Sequence, residues 1–435
     1  MITLNMKKIQ NISDVTRWRL CSGCGACVPA CPKSAVMLED IMDQGIRPVV
    51  DTSRCEKCGE CLKVCPGIEL TQHFERDKVI AELEKEWGPV LEVWEGYAAD
   101  PEIRYKGSSG GAATVLALYC LEEKVASSVM HIGTRYENPL ENIAVCSKSR
   151  DELIARSGSR YAPAAACEKL DWIRDSQEKW IFIGKPCDVA ALRKSQALDG
   201  RIKNKVSLAI SIFCAGTPAS KGTYEILDKL EVKDKQIEDF RYRGYGWPGM
   251  TSIKLAGSDN KTKQLSYHES WNEILSKYTQ LRCRFCPDTT GQFADIACGD
   301  PWYRSRKADE KGWSLVLVRT ELGKTILQNA MRKGYLKLER VGPETLPGSQ
   351  KELHSRRKQL WGRLFVMRLM RIPAPKYTGF FLFESWKKLS LTDKLRSLCG
   401  TIKRIIMRRW SRPEKKLCSE SFNKTVISSE KIDRE

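Results

Sequence analysis

The sequence predicts an α+β protein in three parts: a small cysteine-rich module, an α/β domain and a basic helical tail. Three observations support this prediction. One cysteine motif occurs twice within the first 66 residues. Apolar runs of strand character alternate with segments of helical periodicity between residues 94 and 345. Positive charge is concentrated from residue 351 onward, where 22 Lys and Arg face 8 Asp and Glu and contribute +14 of the net charge of +19.

The composition narrows the class of protein. A chain of 435 residues is too long for one compact core, and its 42% hydrophobic and 29% charged residues are typical of a soluble globular protein. Residues 1–350 carry a net charge of only +5, so the basic character does not indicate nucleic-acid binding. The first 14 residues lack the apolar stretch of a secretory signal, and we expect a cytoplasmic protein. In that compartment 18 cysteines indicate metal binding rather than disulfides.

The repeated cysteine motif predicts a ferredoxin-like module over residues 1–75. Residues 21–32 read CSGCGACVPACP and residues 55–66 read CEKCGECLKVCP, both C-x2-C-x2-C-x3-C-P. This repeat is typical of bacterial ferredoxins with two [4Fe–4S] clusters, in which the fourth cysteine of each motif binds the other cluster. The expected ligands are Cys21, Cys24, Cys27 and Cys65 for cluster one, and Cys55, Cys58, Cys61 and Cys31 for cluster two. Structural zinc is the alternative, but it does not require the third cysteine and the following x3-C-P.

The middle of the chain predicts an α/β core with a mainly parallel or mixed sheet. Three apolar runs are expected to be buried strands, at residues 179–184, 206–214 and 313–318. Three periodic segments are expected to be helices, at residues 110–124, 188–195 and 322–333.

Two kinds of candidate site lie in this core. Small residues open the first of these helices, in the sequence Lys106, Gly107, Ser108, Ser109, Gly110 and Gly111. Their N–H groups could face an anion, although an ordinary N-cap and turn explain the pattern equally well. Cys187 follows one strand, Cys214 closes another, and Cys283 and Cys286 form a C-x2-C pair. These four could form one metal site, or each could be a small buried apolar residue.

Seven ordered motifs in residues 95–345 resemble the coenzyme F420 hydrogenase/dehydrogenase beta subunit family. They are KGSSGGAATVLALYCLEE, RSGSRYAPA, IGKPCDVAALRK, IFCAGTP, CRFCPD, ADIACGDPW and GWSLVLVRT. The resemblance implies a flavin-binding domain over residues 90–350 that holds FAD and a third [4Fe–4S] cluster. It implies that Cys187, Cys214, Cys283 and Cys286 bind the third cluster. It implies FAD contacts from Lys106 to Gly111 and at Arg160, Tyr161, Lys185 and Pro186.

These parts together predict an iron–sulfur flavoprotein oxidoreductase. Electrons would pass from a ferredoxin or other redox protein through the clusters to FAD, and on to a small-molecule substrate or hydride carrier; the reverse direction is equally allowed. Longer relatives of this type in bacteria suggest a role in cell-surface polysaccharide metabolism. The alternative is a non-catalytic electron-transfer subunit that serves a partner enzyme. Four polar residues are candidate proton donors, none of them assigned: Lys106, Arg160, Asp300 and Tyr303.

Residues 244–249 match the dinucleotide fingerprint G-x-G-x-x-G by letter only. The following TSIKLAG predicts a strand, whereas the fingerprint must open a helix. We therefore expect a turn in which Trp247 is packed or lies near the flavin.

The tail, residues 351–435, is predicted to be amphipathic and basic. Apolar residues recur at helical spacing among Lys and Arg, for instance Leu395, Leu398 and Ile402. Such a helix can lie at an anionic membrane surface, which would place the protein peripherally at the inner face of the membrane, or on a partner. The alternative is that it docks on the body of the protein. From about Glu414 the sequence predicts disorder.

Overall fold

The computed structural model describes residues 9–73, 78–257, 262–305 and 311–414. The strands are β1 (Val36–Ile41), β2 (Gly45–Val50), β3 (Glu69–Thr71), β4 (Glu92–Ala98), β5 (Ser128–Thr134), β6 (Asn142–Ser147), β7 (Trp180–Gly184), β8 (Val206–Ile212), β9 (Ile237–Arg241), β10 (Thr251–Leu255), β11 (Thr262–Leu265), β12 (Ile296–Gly299), β13 (Ser314–Val318), β14 (Leu336–Arg340) and β15 (Lys376–Thr378). The helices are α1 (Ile12–Arg17), α2 (Glu60–Lys63), α3 (Ala81–Trp87), α4 (Pro101–Lys106), α5 (Ala112–Glu122), α6 (Arg150–Ala155), α7 (Leu170–Asp175), α8 (Pro186–Leu198), α9 (Gly200–Lys205), α10 (Ser220–Lys229), α11 (Glu321–Arg332), α12 (Thr345–Ser349), α13 (Lys351–Lys358), α14 (Leu360–Leu369), α15 (Leu382–Lys387) and α16 (Leu391–Met407). A π-helical turn covers His268–Ile274, and 3-10 turns cover Leu275–Tyr278 and Leu281–Phe285.

An eight-stranded mixed sheet organises the middle of the chain, in the order β14-β4-β13-β12-β8-β7-β5-β6. The four strands β5, β7, β8 and β12 run parallel, and the strands on both sides of them pair antiparallel. Consecutive residues of a strand point to opposite faces, so Ile181 packs with α5 and Phe182 with α8. The predicted mixed α/β core is confirmed, and the carboxyl ends of the parallel strands meet at one edge of the sheet.

A smaller antiparallel sheet, β11-β10-β9, packs against α10. The turn at residues 244–249 leads into β10 and opens no helix, as predicted for this false fingerprint. Trp247 is 4% exposed and stacks on Trp302, with ring centroids 5.6 Å apart. The turn therefore belongs to the wall between the small sheet and the main one.

The N-terminal module and the tail share one hydrophobic core. Val15 and Leu20 of the module pack in the same buried cluster as Leu364, Phe380 and Ile405 of the tail. Strand β15 of the tail pairs parallel with β3 of the module. The described part of the tail contains the helices α13 to α16 and docks on the body, which was the alternative prediction for it. Its predicted disordered end, residues 415–435, lies outside the described residues.

None of the described helices is long and apolar enough to cross a membrane.

Candidate functional site

The eight cysteines of the repeated motif lie in two groups of four. Burial raises the pKa of the Cys27 thiol, and the neighbouring Cys24, Cys21 and Cys65 raise it further. Burial also raises the pKa of Cys61, and there the contributing neighbours are Cys31, Cys58 and Cys55. The neighbours of each thiol thus include cysteines of both motifs, and Cys61 of the second group also contributes to the pKa of Cys27. The two ligand sets predicted from the spacing stay a prediction.

The chemistry of these thiols fits iron–sulfur clusters. Burial raises the pKa of Cys24 and of Cys65 to about 12, so both thiols would stay protonated at neutral pH in the protein alone. A thiolate at such a site needs a bound cation, which cluster iron supplies. Within the described ranges no three Cys, His, Asp or Glu side chains converge as ligands of a single metal ion. A four-iron cluster is larger than one ion, and its ligands stand further apart.

The third candidate group is assembled from three separate segments. Cys187 is the second residue of α8, Cys214 follows β8, and the 3-10 turn at residues 281–285 carries Cys283 and is followed by Cys286. Burial raises the pKa of Cys214 to about 12, and Cys283 and Cys286 contribute to the shift. Burial also raises the pKa of Cys187, to which Cys214 and Cys286 add. The structure therefore brings the four predicted thiols together.

Arg282 lies between the first and the third group of thiols. It is 3% exposed. Burial raises the pKa of both Cys65 and Cys286, and the positive charge of Arg282 opposes this shift in both. One of its nitrogens, Nη2, donates a hydrogen bond to the carbonyl oxygen of Pro66 at 3.1 Å. Its Nε and Nη1 are buried without a protein acceptor. Two unsatisfied N–H donors beside two sets of thiols fit an anionic cluster as their acceptor.

A cavity of about 220 Å³ lies at the carboxyl ends of the parallel strands. Seven of the ten predicted FAD-contact residues line it: Gly107, Ser108, Ser109, Gly111, Arg160, Tyr161 and Lys185. Lys106, Gly110 and Pro186 do not. The Lys106 ammonium pairs with Glu102 at 2.9 Å, and Pro186 is the first residue of α8.

Two glycines of the loop before α5 are required by the packing of the protein itself. A Cβ at Gly110 would lie 2.7 Å from the carbonyl oxygen of Gly96. Gly111 has a φ of +78°, and a Cβ there would lie 2.9 Å from the carbonyl oxygen of Ile103. Close approach of the loop to β4 and α4 explains these glycines, and it leaves Ser108 and Ser109 facing the cavity.

Each nitrogen of the Arg160 guanidinium donates a hydrogen bond within the protein. Nε donates to Asn142 Oδ1 at 2.7 Å, Nη1 to the Phe240 carbonyl at 2.6 Å and Nη2 to the Pro139 carbonyl at 2.7 Å. Arg160 therefore holds the small sheet against β6 and contributes a wall of the cavity rather than a free cation.

Arg243, which sequence reasoning missed, is the most deeply buried cation of this cavity wall. It is 2% exposed, and its Nη1 and Nη2 donate to Asp300 at 3.0 and 2.8 Å. Nη2 also donates to the Ser108 carbonyl, and Nη1 to the Tyr161 hydroxyl. One side chain thus joins the loop before α5, the small sheet and the end of β12. No local sequence signal distinguishes Arg243 from a surface arginine, although Asp300 was among the candidates.

A second cavity, of about 540 Å³, shares a wall with the first. Both are lined by Ser159, Arg160, Tyr161, Lys185, Ile212, Phe213 and Asp300. The second also reaches Cys214 and is bordered by the aromatic rings of Tyr267, Trp271 and Trp302. Tyr303 lines it as well and donates its hydroxyl to Glu95. Space for a ligand therefore extends from the loop before α5 to the third group of thiols.

Comparison with protein families assigns three segments of the chain. Residues 93–170 match the model for the amino-terminal part of the coenzyme F420 hydrogenase/dehydrogenase beta subunit, and residues 177–344 match the model for its carboxyl-terminal part. Residues 20–67 match a 4Fe-4S dicluster domain. The first two segments cover more than half of the chain, and the dicluster segment contains both cysteine motifs. The resemblance predicted from the ordered motifs is confirmed.

Similar proteins are subunits of F420-linked enzymes. Coenzyme F420 hydrogenase subunit beta of Methanosarcina barkeri is 25% identical over 265 residues, which is 58% of this chain and 82% of the relative. F420-dependent formate dehydrogenase subunit beta of Methanocaldococcus jannaschii is 24% identical over 260 residues, 58% of this chain and 63% of the relative. The match therefore spans less than two thirds of the formate dehydrogenase protein.

The fold is also found among solved structures. A chain of the F420-reducing [NiFe] hydrogenase complex from Methanosarcina barkeri superposes with a TM-score of 0.50 at 19% identity, covering 67% of this chain and 96% of that chain.

Proposed function

This chain belongs to the coenzyme F420 hydrogenase/dehydrogenase beta subunit family, and from that premise we propose that it is an iron–sulfur flavoprotein oxidoreductase. The dicluster domain and the cysteines support iron–sulfur electron transfer. The finer proposal adds a third cluster, FAD and a substrate or hydride carrier. We propose domains at residues 1–75 and 90–350, with the tail 351–435 joined to the first.

The observation that carries the proposal is the order of the three groups of thiols. Cys58 of the second group is exposed, whereas Cys27 of the first group is buried. Cys61 contributes to the raised pKa of Cys27, so the first and the second group are neighbours. Arg282 lies between the first group and the third, and Cys214 of the third lines the larger cavity. This order forms a path for electrons from the surface to the cavity, with the partner redox protein at the Cys58 end.

The two joined cavities are the proposed site of FAD and substrate. Their volumes, about 220 and 540 Å³, together fall within the range of small-molecule sites, about 300–1,000 Å³. Ser108 and Ser109 lie just before the N-terminus of α5, which favours a phosphate group. The buried ammonium of Lys185 lines both cavities, where it pairs with Asp188 at 2.8 Å. When bound, FAD combines two single electrons into a hydride equivalent. The aromatic walls of the larger cavity would then hold the substrate, and a sugar intermediate of cell-surface polysaccharide is the first class to test.

The experiment that tests this function is anaerobic purification of the full chain with analysis of iron, sulfide and flavin. We expect iron and sulfide in equal amounts, bound FAD, and loss of the flavin absorbance when reduced ferredoxin is added. Ala113 lines the smaller cavity, so Ala113→Phe should lower the FAD content and leave iron unchanged. Ala155→Phe, at an exposed position of α6, is the matched control. Zinc in place of iron, or iron without flavin, would overturn the proposal.

A second candidate function is a non-catalytic electron-transfer subunit. The relatives are named as beta subunits, and the structural match comes from a hydrogenase complex. If this alternative holds, the purified chain will reduce artificial acceptors but will turn over no metabolite until a second subunit is added.

A further inference from the structure

Helix α16 presents a stripe of apolar side chains to solvent, beside the face that packs on the body. The buried residues of this 17-residue helix are Ser397, Thr401 and Ile405, and the partly buried Leu398 packs against the same core as Ile405. The Trp386 indole donates to Ser397 Oγ at 3.0 Å, so polar contact holds part of this inner face. In a surface helix of a globular protein the apolar stripe normally faces the core. In α16 the body covers Ile405 and part of Leu398 and leaves the other apolar residues exposed.

The outward stripe is continuous along the helix. Leu391, Leu395, Ile402 and Ile406 are 73%, 51%, 38% and 66% exposed. They are separated by 4, 7 and 4 residues, which places them on one side of a helix of 3.6 residues per turn. From Leu391 to Ile406 the stripe runs for about 22 Å. A soluble monomer rarely leaves so extended an apolar face in contact with water.

Positive charge borders this stripe. Arg396 and Lys403 lie beside it on the exposed side of α16, and Arg408 and Arg409 follow at its end. The Arg396 side chain is 74% exposed, and Asp393 is the only acidic residue within α16. From residue 394 to residue 413 the chain contains seven Lys and Arg and no Asp or Glu. Arg408 and Arg404 also lie near Arg284, so the basic region continues onto the body.

We propose that α16 docks this protein on an anionic lipid surface, with the helix lying in the plane of the membrane. The apolar stripe would enter the boundary between headgroups and acyl chains, and Arg396, Lys403 and Arg408 would meet lipid phosphates. The charge of the border selects a negatively charged surface, and the exposed stripe supplies the apolar face that such a surface would cover. This inference does not depend on the cofactors or the substrate of the protein.

Flotation of the full-length protein with lipid vesicles tests the proposal. We expect the protein to float with vesicles that contain phosphatidylglycerol and to stay at the bottom with pure phosphatidylcholine. Binding should weaken as salt rises from 0.1 M to 1 M, because the Debye length falls from about 10 Å to about 3 Å. Failure to bind the anionic vesicles, or equal binding to both kinds, would overturn the proposal.

Two double variants separate the apolar and the basic contributions. Leu395→Ser with Ile406→Ser should lower vesicle binding at least about tenfold, since each removes a buried contact with lipid. Arg396→Gln with Lys403→Gln should weaken binding at low salt and reduce its salt dependence. Leu198→Ser is the matched control, because Leu198 is 53% exposed at the end of α8. Unchanged binding of the apolar double variant would contradict the proposal, and so would equal loss in the control.

Other occupants of the face give different results. A concentration-dependent dimer that both serine substitutions abolish, without vesicle binding, would mean that a second copy covers α16. Vesicle binding that appears only in a chain ending at Glu414 would mean that residues 415–435 cover it. Either result overturns docking of the native chain on lipid.

Discussion

Arg282 donates a hydrogen bond to the carbonyl oxygen of Pro66, the residue that ends the second cysteine motif. Through this contact the loop of Cys283 and Cys286 is fastened to the N-terminal module. Burial raises the pKa of Cys65 and of Cys286, and the same guanidinium opposes this shift in both. One positive charge therefore stabilises the thiolate form in both groups. The N-terminal module is thereby held in a defined position relative to the cavities.

Replacement of Arg282 should shift reduction potentials. A positive charge favours the reduced, more negative cluster, so Arg282→Met should lower the midpoint potentials of the two neighbouring centres by tens of millivolts, where about 59 mV is tenfold for one electron. Potentiometric titration monitored by electron paramagnetic resonance measures the shift. Arg282→Lys keeps the charge and should restore most of it. The centre at Cys58 is the internal reference, and an equal shift there would contradict the assignment.

Loss of one thiol of the third group should remove one cluster only. Cys283→Ala should lower the iron content by about four per chain and leave the signals of the N-terminal module intact. Cys146→Ala is the matched control, because Cys146 is also partly buried but belongs to none of the three groups. If the iron content is the same in both variants, the four thiols are ordinary core residues.

Local patterns explain what the sequence could predict. The ligands of the first two groups lie in a short repeat with fixed spacing. The strands of the main sheet and the helices that pack on it can be predicted from their apolar periodicity. Cys187 and Cys283, by contrast, are 96 residues apart, and only the fold brings them together. Arg243 meets Asp300 across 57 residues, and no local pattern indicates such a pair.

The tail illustrates a different limit of sequence reasoning. Leu364 and Ile405 are buried, whereas Leu395 and Ile406 are exposed, although all four occur in similar basic, helical contexts. An amphipathic pattern predicts that an apolar stripe needs cover, but it does not identify what provides the cover. In this chain the body covers one part of the tail and leaves the other part open.

The buried part of the tail should stabilise the N-terminal module. Leu364 is 1% exposed in the core that the module and the tail share, so Leu364→Ala should cost about 2–5 kcal/mol of unfolding free energy. Denaturant unfolding measures this loss, and faster bleaching of the cluster absorbance should accompany it. Leu369→Ala, at a 69% exposed position of the same helix, should change stability by less than about 0.5 kcal/mol.

A chain ending at residue 350 would expose this shared core and should aggregate. If the shortened chain stays folded with its clusters, the shared core is dispensable.

A carboxylate that links α3 to the tail should make stability depend on pH. The hydrogen bond with His354 lowers the pKa of Glu86 to about 2, with help from Lys358 and Lys388. A carboxyl group with a lowered pKa in the folded state stabilises the protein above its unfolded pKa of about 4.3, and this contribution is lost as the pH falls toward 2. The melting temperature of the wild type should therefore fall more steeply between pH 5 and pH 2 than that of Glu86→Gln. Glu82→Gln, on the exposed side of the same helix, should follow the wild type.

The ion pair of Arg243 and Asp300 should decide whether the cavity exists. Both side chains are largely buried, and Trp247 Nε1 also donates to Asp300 Oδ1 at 2.7 Å. Arg243→Met would leave the Asp300 carboxylate without its cation, at a cost of about 3–5 kcal/mol, and would release the Ser108 carbonyl from the wall of the cavity. We therefore expect lower thermal stability and loss of flavin, measured by calorimetry and by the FAD content after anaerobic purification. The double variant Arg243→Met with Asp300→Leu removes both charges and should recover stability without recovering flavin. If the double variant recovers flavin, Arg243 acts only through the stability of the fold. If Arg243→Met retains flavin, the FAD site lies elsewhere.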